Sequence, residues 1–369
     1  MTPDSQINLS GVMVRTMIGA EYKMNKLLDD IIELNHDKEA HIIQMTRPGL
    51  QHRFGKKCSN SVPVSFVHAS DIHNVPDLWD RMVRYINYYS DYISFAVHTG
   101  DYCGGAQESY TDMYEKCTPC VHPILNCVGN HDCVAHNDWS HPADKKITHS
   151  LLFNHSENWD ADFADCEYPM SYYKDFPDSN MRLIVLDLYY DIWHTRVWLS
   201  KLLDDALEKG IHVVTAMHEP TDYIVDAPDV TFHHMGDYET INRKYELDRT
   251  EFSFDHRGRV TFEDVIADFI HRGGNYVCNL AGHDHIDSFG YTQRGVLNVV
   301  VENGTDWDTL GESSRIKGTR TYDCFNVVAI DTDLCILKLV RIGNNVEHYM
   351  REKNVLCFDY KNRGVIYNK

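Results

Sequence analysis

Asp71-Ile-His73, Gly100-Asp101, Gly129-Asn-His-Asp132, His218 and Gly282-His-Asp-His285 follow one another along a chain of 369 residues. Asp71, Asp101 and Asn130 offer carboxylate or amide oxygens, and His73, His218, His283 and His285 offer imidazole nitrogens. That leaves His131 over. Such a mixture of oxygen and nitrogen donors suits borderline divalent ions such as Mn, Fe, Zn or Co. Two adjacent ions of this kind generate hydroxide at neutral pH and hold both oxygens of a phosphoryl displacement. Singly, each segment says little. Asp-x-His is common, and so is Gly-Asp after a strand. With 22 histidines in the chain, any one of them has a surface or hydrogen-bonded core position as its default. The order of the five segments, each after a strand-like run, carries the information.

Those runs are short and rich in β-branched residues. Val62-Pro-Val-Ser-Phe-Val67 leads to Asp71 and His73, Ile93-Ser-Phe-Ala-Val97 to Gly100-Asp101, and Pro123-Ile-Leu-Asn-Cys-Val128 to Gly129-Asn130. Arg182-Leu-Ile-Val-Leu-Asp187 repeats the pattern, and His212-Val-Val-Thr-Ala-Met217 delivers His218. A helix is predicted from about Val75 to Tyr89. Strands alternating with helices, with polar residues past the strand ends, indicate an α/β sheet that binds ligands beyond its carboxyl edge. From Tyr291 onward the chain becomes β-rich, through Val296–Val301, Asn326–Ile330 and Cys335–Val340, with Asp331-Thr-Asp333 as a hairpin turn between the last two. A second sheet packed on the first is the expectation.

The five segments resemble the motifs of the calcineurin-like metallophosphoesterase superfamily over about residues 62 to 342. The resemblance implies a four-layer α/β/β/α sandwich of two mixed β-sheets flanked by helices. It also implies two divalent metal ions, with manganese favoured. Asp71, His73 and His285 then ligate the first ion, Asn130, His218 and His283 the second, and Asp101 bridges them, each carboxylate oxygen serving a different ion. His131 contacts the phosphoryl group or protonates the leaving oxygen, which suits an imidazole whose ordinary pKa of about 6.5 lies near neutrality. The implied function is hydrolysis of a small phosphodiester or phosphomonoester by a metal-bridging hydroxide. A metal-dependent nuclease is the alternative. A catalytically silent scaffold of the same fold is disfavoured by the full set of seven ligand residues.

Departures from particular subfamilies narrow the substrate. Protein Ser/Thr phosphatases extend the second motif with an Asp-Arg pair, whereas this chain reads Gly100-Asp-Tyr-Cys-Gly-Gly105. Purple acid phosphatases place a tyrosine ligand where Gly104 stands, and Tyr102 is out of register to replace it. The formal charge of -20 counts against a grip on a nucleic-acid backbone, which draws on clustered Lys and Arg.

Residues 1–61 read as a helical extension and connector, with apolar spacing of helical period at Leu27–Leu34. The metallophosphoesterase domain spans 62–342, with insertions at about 133–180 and 219–261, and 343–369 forms a β-rich tail. The first insertion carries His136, His141, His149 and His155 with Trp139 and Trp159. The second carries His233, His234, Tyr238, Arg243, Lys244, Arg249 and Arg257. Each is either a substrate-facing wall or a solvated excursion, and Asn303-Gly-Thr-Asp-Trp307 suggests a further loop over the same edge. Cys117-Thr-Pro-Cys120 lacks the second pair that a structural zinc site needs. The sequence shows no secretory signal and no apolar run long enough to span a bilayer. Its 11 cysteines are odd in number and unpatterned, so reduced thiols and a cytoplasmic location are expected. Oligomeric state is not legible.

Overall fold

The computed structural model describes residues 30–46, 62–102, 117–132, 142–153, 161–190, 192–221, 254–285, 287–305, 316–343 and 354–368. Two seven-stranded sheets form its centre. The first contains β1 (Val64–Ala69), β2 (Phe95–His98), β3 (Ile124–Asn126), β11 (Cys324–Asp331), β12 (Ile336–Gly343), β13 (Val355–Asp359) and β14 (Gly364–Asn368), in the order β14-β13-β12-β11-β1-β2-β3. The second contains β4 (Asp162–Phe163), β5 (Tyr172–Phe176), β6 (Met181–Val185), β7 (His212–Ala216), β8 (Asn275–Ala281), β9 (Ser288–Tyr291) and β10 (Leu297–Val300), in the order β4-β5-β6-β7-β8-β10-β9.

Both sheets are mixed. In the first, β1, β2 and β3 run parallel, while β11 pairs antiparallel with β1 through Val64↔Ile330 to His68↔Asn326. In the second, β6, β7, β8 and β10 run parallel. The parallel strands carry the motifs. Because their carboxyl ends share an edge within each sheet, the loops beyond β1, β2, β3, β7 and β8 gather at one place.

Alternation along the strands divides the core into two layers. Val64 and Phe66 of β1, Phe95 and Val97 of β2, Leu183 and Val185 of β6, and Leu337 and Leu339 of β12 form one cluster between the sheets. Their neighbours Val67, Ala69, Ala96 and Ile184 face outward and pack in a second cluster with helical residues. A strand that alternates in this way and is buried on both faces has its register fixed on both, since a one-residue slip would exchange the layers. The described helices are α1 (Glu39–Thr46), α2 (Pro76–Tyr88), α3 (Pro142–Phe153), α4 (Ile192–Lys209) and α5 (Phe254–His271). Helix α2 opens with Pro76 at its first position, where the missing N–H costs nothing. It buries Leu78, Trp79, Met82, Val83 and Ile86 on one face. The α/β/β/α sandwich is the architecture expected from the sequence.

The helical residues 30–46 sit on the first sheet. Asn35 Oδ1 accepts the Gly343 N–H at 2.9 Å, Lys38 Nζ donates to Gly343 O at 2.6 Å, and Lys338 Nζ donates to His41 O at 2.9 Å. Ile31 and Ile42 are buried in the outer core. Strands β13 and β14 extend the same sheet by antiparallel pairing. No described helix is long and apolar enough to cross a membrane.

Candidate metal centre

The sharp turns after the strands aim the site residues. Asp71, His73, Asp101, His283 and His285 all have positive φ, from 42° at His73 to 68° at His283. Such conformations cost non-glycine residues about 1–3 kcal/mol each, and they cluster where function over-determines them. Gly100 shows how close the loops run. It has φ +104, and a Cβ there would lie 2.7 Å from Gly129 N and 2.7 Å from His218 Nδ1. Only glycine fits between the second, third and fourth motifs.

Asp132 ties the loops together. Its Oδ2 accepts the N–H of Gly129 at 2.7 Å and of Asp101 at 2.9 Å, and its Oδ1 accepts the N–H of Tyr102 at 3.0 Å. Thr148 of α3 donates to the Asp132 carbonyl at 2.9 Å. The sequence marks Asp132 as the end of a motif, without showing that it fixes the position of Asp101. Gly304 N–H donates to Ser70 O at 2.8 Å, so the loop from Asn303 closes onto the Asp71 turn.

The structure brings all seven expected ligand side chains together, in two groups. His73 Nε2 lies 3.1 Å from His285 Nε2, and Asp71 Oδ1 is 3.3 Å from His285 Nε2 and 3.8 Å from His73 Nε2. In the second group, Asn130 Oδ1 lies 2.8 Å from His218 Nε2 and 3.1 Å from His283 Nδ1, and the two histidine nitrogens are 3.2 Å apart. Asp101 Oδ2 is 3.8 Å from His73 Nε2 and 3.3 Å from His218 Nε2, so one oxygen faces both groups. Asp101 Oδ1 instead accepts the His131 N–H at 2.8 Å. Asp101 therefore turns one oxygen to the third motif loop and the other toward both groups. Asp71 Oδ1 also approaches the second group, 4.0 Å from His218 Nε2.

The set fits two cations. Asp71, His73 and His285 each place a donor atom within 4.8 Å of the others, as do Asp71, Asp101 and His218. Asp71 Oδ1 is buried facing the His285 and His73 ring nitrogens, and ring nitrogens stand 3.1–3.2 Å apart within each group. Outer contacts orient the rings as ligating histidines require. His218 Nδ1 donates to Thr99 O at 2.7 Å, which leaves Nε2 to the site. Asp71 Oδ2 accepts the His283 N–H at 2.9 Å, which leaves Oδ1.

The titration behaviour has the same origin. Burial would raise the Asp71 carboxyl, yet His285, His218 and His73 hold it well below the usual carboxylate range. Burial likewise opposes ionisation of Asp101, but His218 beside it brings it down to about 2. Burial pulls His218 down, and Asp101, Asp71 and Glu219 overcome this and raise it to about 10. Burial lowers His283 to about 4 despite the attraction of Glu219. His218 thus carries the positive charge that two buried carboxylates demand when no cation supplies it.

His131 stands at the rim, exposed, with its ring 5.2 Å from the ring of His73. Tyr102 is turned into the core. Its ring packs against Trp79 and His98, and its hydroxyl donates to Asn126 Oδ1. His149 packs on Tyr168 at 5.8 Å between ring centroids. Cys117 Sγ donates to Pro76 O at 3.5 Å, and burial pushes the Cys120 thiol up. Cys103, Gly104, Gly105, Cys133, His136, Trp139, His141, His155, Trp159 and Trp307 lie outside the described residues, as does 222–253 of the second insertion. Two site residues escaped the sequence reading. Asp132 is one, and Glu219, buried immediately after His218, is the other.

No protein-family model matches the sequence, and no curated protein matches it. Among solved structures, a dimetal phosphatase from Danio rerio is similar at 13% identity with a TM-score of 0.49, over 78% of this chain and 98% of that one. A purple acid phosphatase from yellow lupin seeds is similar at 13% identity and a TM-score of 0.47, over 84% of this chain and 53% of that one. GAP50, the anchor in the inner membrane complex of Plasmodium, is similar at 10% identity and a TM-score of 0.41, over 83% of this chain and 88% of that one. Likenesses of this order, divided between phosphatases and an anchor, carry no activity over to this chain.

Proposed function

We propose that this chain, whose architecture and motif order resemble those of the calcineurin-like metallophosphoesterases, is a dinuclear metal-dependent hydrolase of small phosphate esters. The observation that carries the reading is the convergence of seven donor side chains into two groups around Asp101 Oδ2. Asp71, His73 and His285 would hold one divalent ion, Asn130, His218 and His283 the other, and Asp101 both. Manganese is favoured among Mn, Fe, Zn and Co, all of which accept this thiolate-free mixture of three oxygen and four nitrogen donors. When bound, such ions acidify water and neutralise phosphoryl charge.

The protein's own share is positioning and proton handling. Thr99 O and Asp71 Oδ2 set the orientation of His218 and the His283 turn. The Asp132 carboxylate fixes the backbone of Asp101. His131, exposed at the rim beside His73, is placed to contact a phosphoryl oxygen or to protonate the departing alcohol. The acidic balance favours a small diester or monoester over a polynucleotide, because a long strand needs a positive channel. The eight described cysteines are all free thiols, which supports a reducing compartment, the cytoplasm.

The test is activity profiling of manganese-reconstituted protein against bis-p-nitrophenyl phosphate, p-nitrophenyl phosphate, a nucleotide panel and single-stranded DNA at physiological salt. Turnover of a small ester that disappears with chelator is the expected result. DNA turnover comparable to the small diester would replace this reading with a nuclease. No turnover of any ester by metal-replete protein would leave the scaffold.

A further inference from the structure

A cavity of about 190 Å³ lies between the two sheets at the edge away from the metal groups. Strand β8 enters its wall at Tyr276 and ends at Ala281, just before the loop of His283 and His285. The 7 residues of that strand separate the two places, by roughly 20 Å at the usual rise per residue. Leu297 at the start of β10 and Tyr291 at the end of β9 belong to the same wall. From the first sheet, the β11–β12 turn brings Cys335, and the β13–β14 hairpin brings Tyr360, Lys361 and Arg363. That hairpin touches the second sheet twice. The Tyr360 hydroxyl lies 2.8 Å from His212 Nδ1, and the Arg363 guanidinium carbon lies 4.6 Å from the ring centroid of Tyr291. Gly295 leaves room for the guanidinium, since a Cβ there would lie 3.0 Å from Arg363 Nη2.

We propose that this cavity is a second binding site, separate from the metal centre, for a small organic anion with a flat apolar body. The charge of its lining is the first reason. The chain carries a formal charge of -20, yet among the described residues no carboxylate lines the cavity, and Lys361 and Arg363 stand exposed beside it. Neither cation is in an ion pair among the described residues, and Arg363 lies over the face of Tyr291 instead. Nearby charges are matched. Arg272 pairs with Asp204 and Asp268, and the Asp359 carboxylate accepts the Asn362 N–H at 2.8 Å and its Nδ2 at 2.7 Å. The wall is the second reason. Tyr276, Leu297 and Tyr360 are buried, and the Tyr276 hydroxyl is already bonded to Thr215 Oγ1 at 2.7 Å. An apolar, largely aromatic wall with two convergent cations suits a ring bearing one anionic head group, which the cations would meet with charge-assisted hydrogen bonds. The volume equals that of roughly a dozen waters, enough for two fused rings and the head group.

The probe is 2-naphthalenesulfonate, titrated by calorimetry into the whole chain. It should bind, while inorganic sulfate, the head group alone, and 2-naphthol, the body alone, should each bind at least about tenfold more weakly, because each forgoes one of the two contributions. Lys361→Gln and Arg363→Gln should each weaken the sulfonate by about fivefold, the upper range for an exposed ion pair, and the double variant should lose more. Both side chains are exposed, so these variants keep the fold. Location is read at Cys335, a half-buried free thiol in the wall. Bound sulfonate should slow its alkylation by N-ethylmaleimide several-fold and leave that of Cys166, equally half-buried, unchanged. No sulfonate binding, binding unchanged in the double variant, 2-naphthol binding as tightly as the sulfonate, or Cys335 reacting at the same rate with sulfonate bound each overturns the proposal. Should Cys335 not react at all, the calorimetric comparison of wild type and double variant decides alone.

Discussion

Asp101 Oδ1 accepts the backbone N–H of His131 at 2.8 Å while its Oδ2 lies between His73 and His218, at 3.8 and 3.3 Å. One carboxylate therefore has two tasks. One oxygen shapes the third motif loop, and the other faces both donor groups. Asp101→Asn retains an oxygen for the His131 N–H but turns an N–H2 toward the imidazoles, where a donor cannot ligate. Metal analysis of this variant should return fewer than the two divalent ions per chain expected of the wild type. Two ions retained at wild-type affinity would remove Asp101 from the bridge.

The same hydrogen bond separates the backbone of His131 from its side chain. The loop depends on the N–H, which any residue but proline supplies, so His131→Ala should leave metal content and fold intact. Among the described residues, the exposed ring makes an edge contact with His73, 5.2 Å between centroids. Turnover should fall by about 10²–10⁴-fold, the range for removing a general acid. His283→Ala and His285→Ala should instead lose metal, which elemental analysis distinguishes. Metal loss from His131→Ala equal to theirs would require the roles to be redrawn.

The contrast between these residues shows what could be read along the chain. The motif loops were legible because a strand signal ending in Gly-Asp or Gly-Asn-His is local. The sandwich followed from alternating runs such as Val64–Ala69. Glu219 was not legible, since its neighbour His218 was already the informative residue. The hydroxyl of Tyr189, from a distant loop, donates to the acid and shows which way it points. Asp132 was not legible for a related reason, as its partners Asp101 and Tyr102 come from another loop. The packing of residues 30–46 depends on carbonyl and N–H groups of Gly343, at the far end of the chain. Long-range polar contacts of this kind leave no periodic trace.

His218 supplies a proton count. In the metal-free protein burial disfavours its charge, but Asp101, Asp71 and Glu219 raise it to about 10. It is therefore protonated at neutral pH, and a cation taking Nε2 must displace that proton. Manganese binding to metal-free protein at pH 7.5 should release about one proton through this residue, and apparent affinity should rise with pH up to about 10, because proton and metal compete for one lone pair. Calorimetry in two buffers of different ionisation enthalpy measures the release. Binding with no proton release would show that His218 is neutral before the metal arrives.

Lys38 makes the fold itself pH-dependent, away from the metal groups. It is buried, its Nζ donates to Gly343 O at 2.6 Å, and burial together with Arg320 and Arg341 lowers it to about 6. In the unfolded chain a lysine titrates at about 10.4. Between these values the unfolded state binds the extra proton, so this residue's contribution to stability rises with pH across the window, by at most about 1.4 kcal/mol per pH unit. Lys38→Met fills the same space without a titratable group. The comparison is denaturant unfolding of both proteins from pH 6.5 to 9, where shared titrations cancel in the difference. The variant should be the more stable at the acid end, and its advantage should shrink as pH rises. A difference independent of pH would mean that Lys38 keeps its proton when the chain folds.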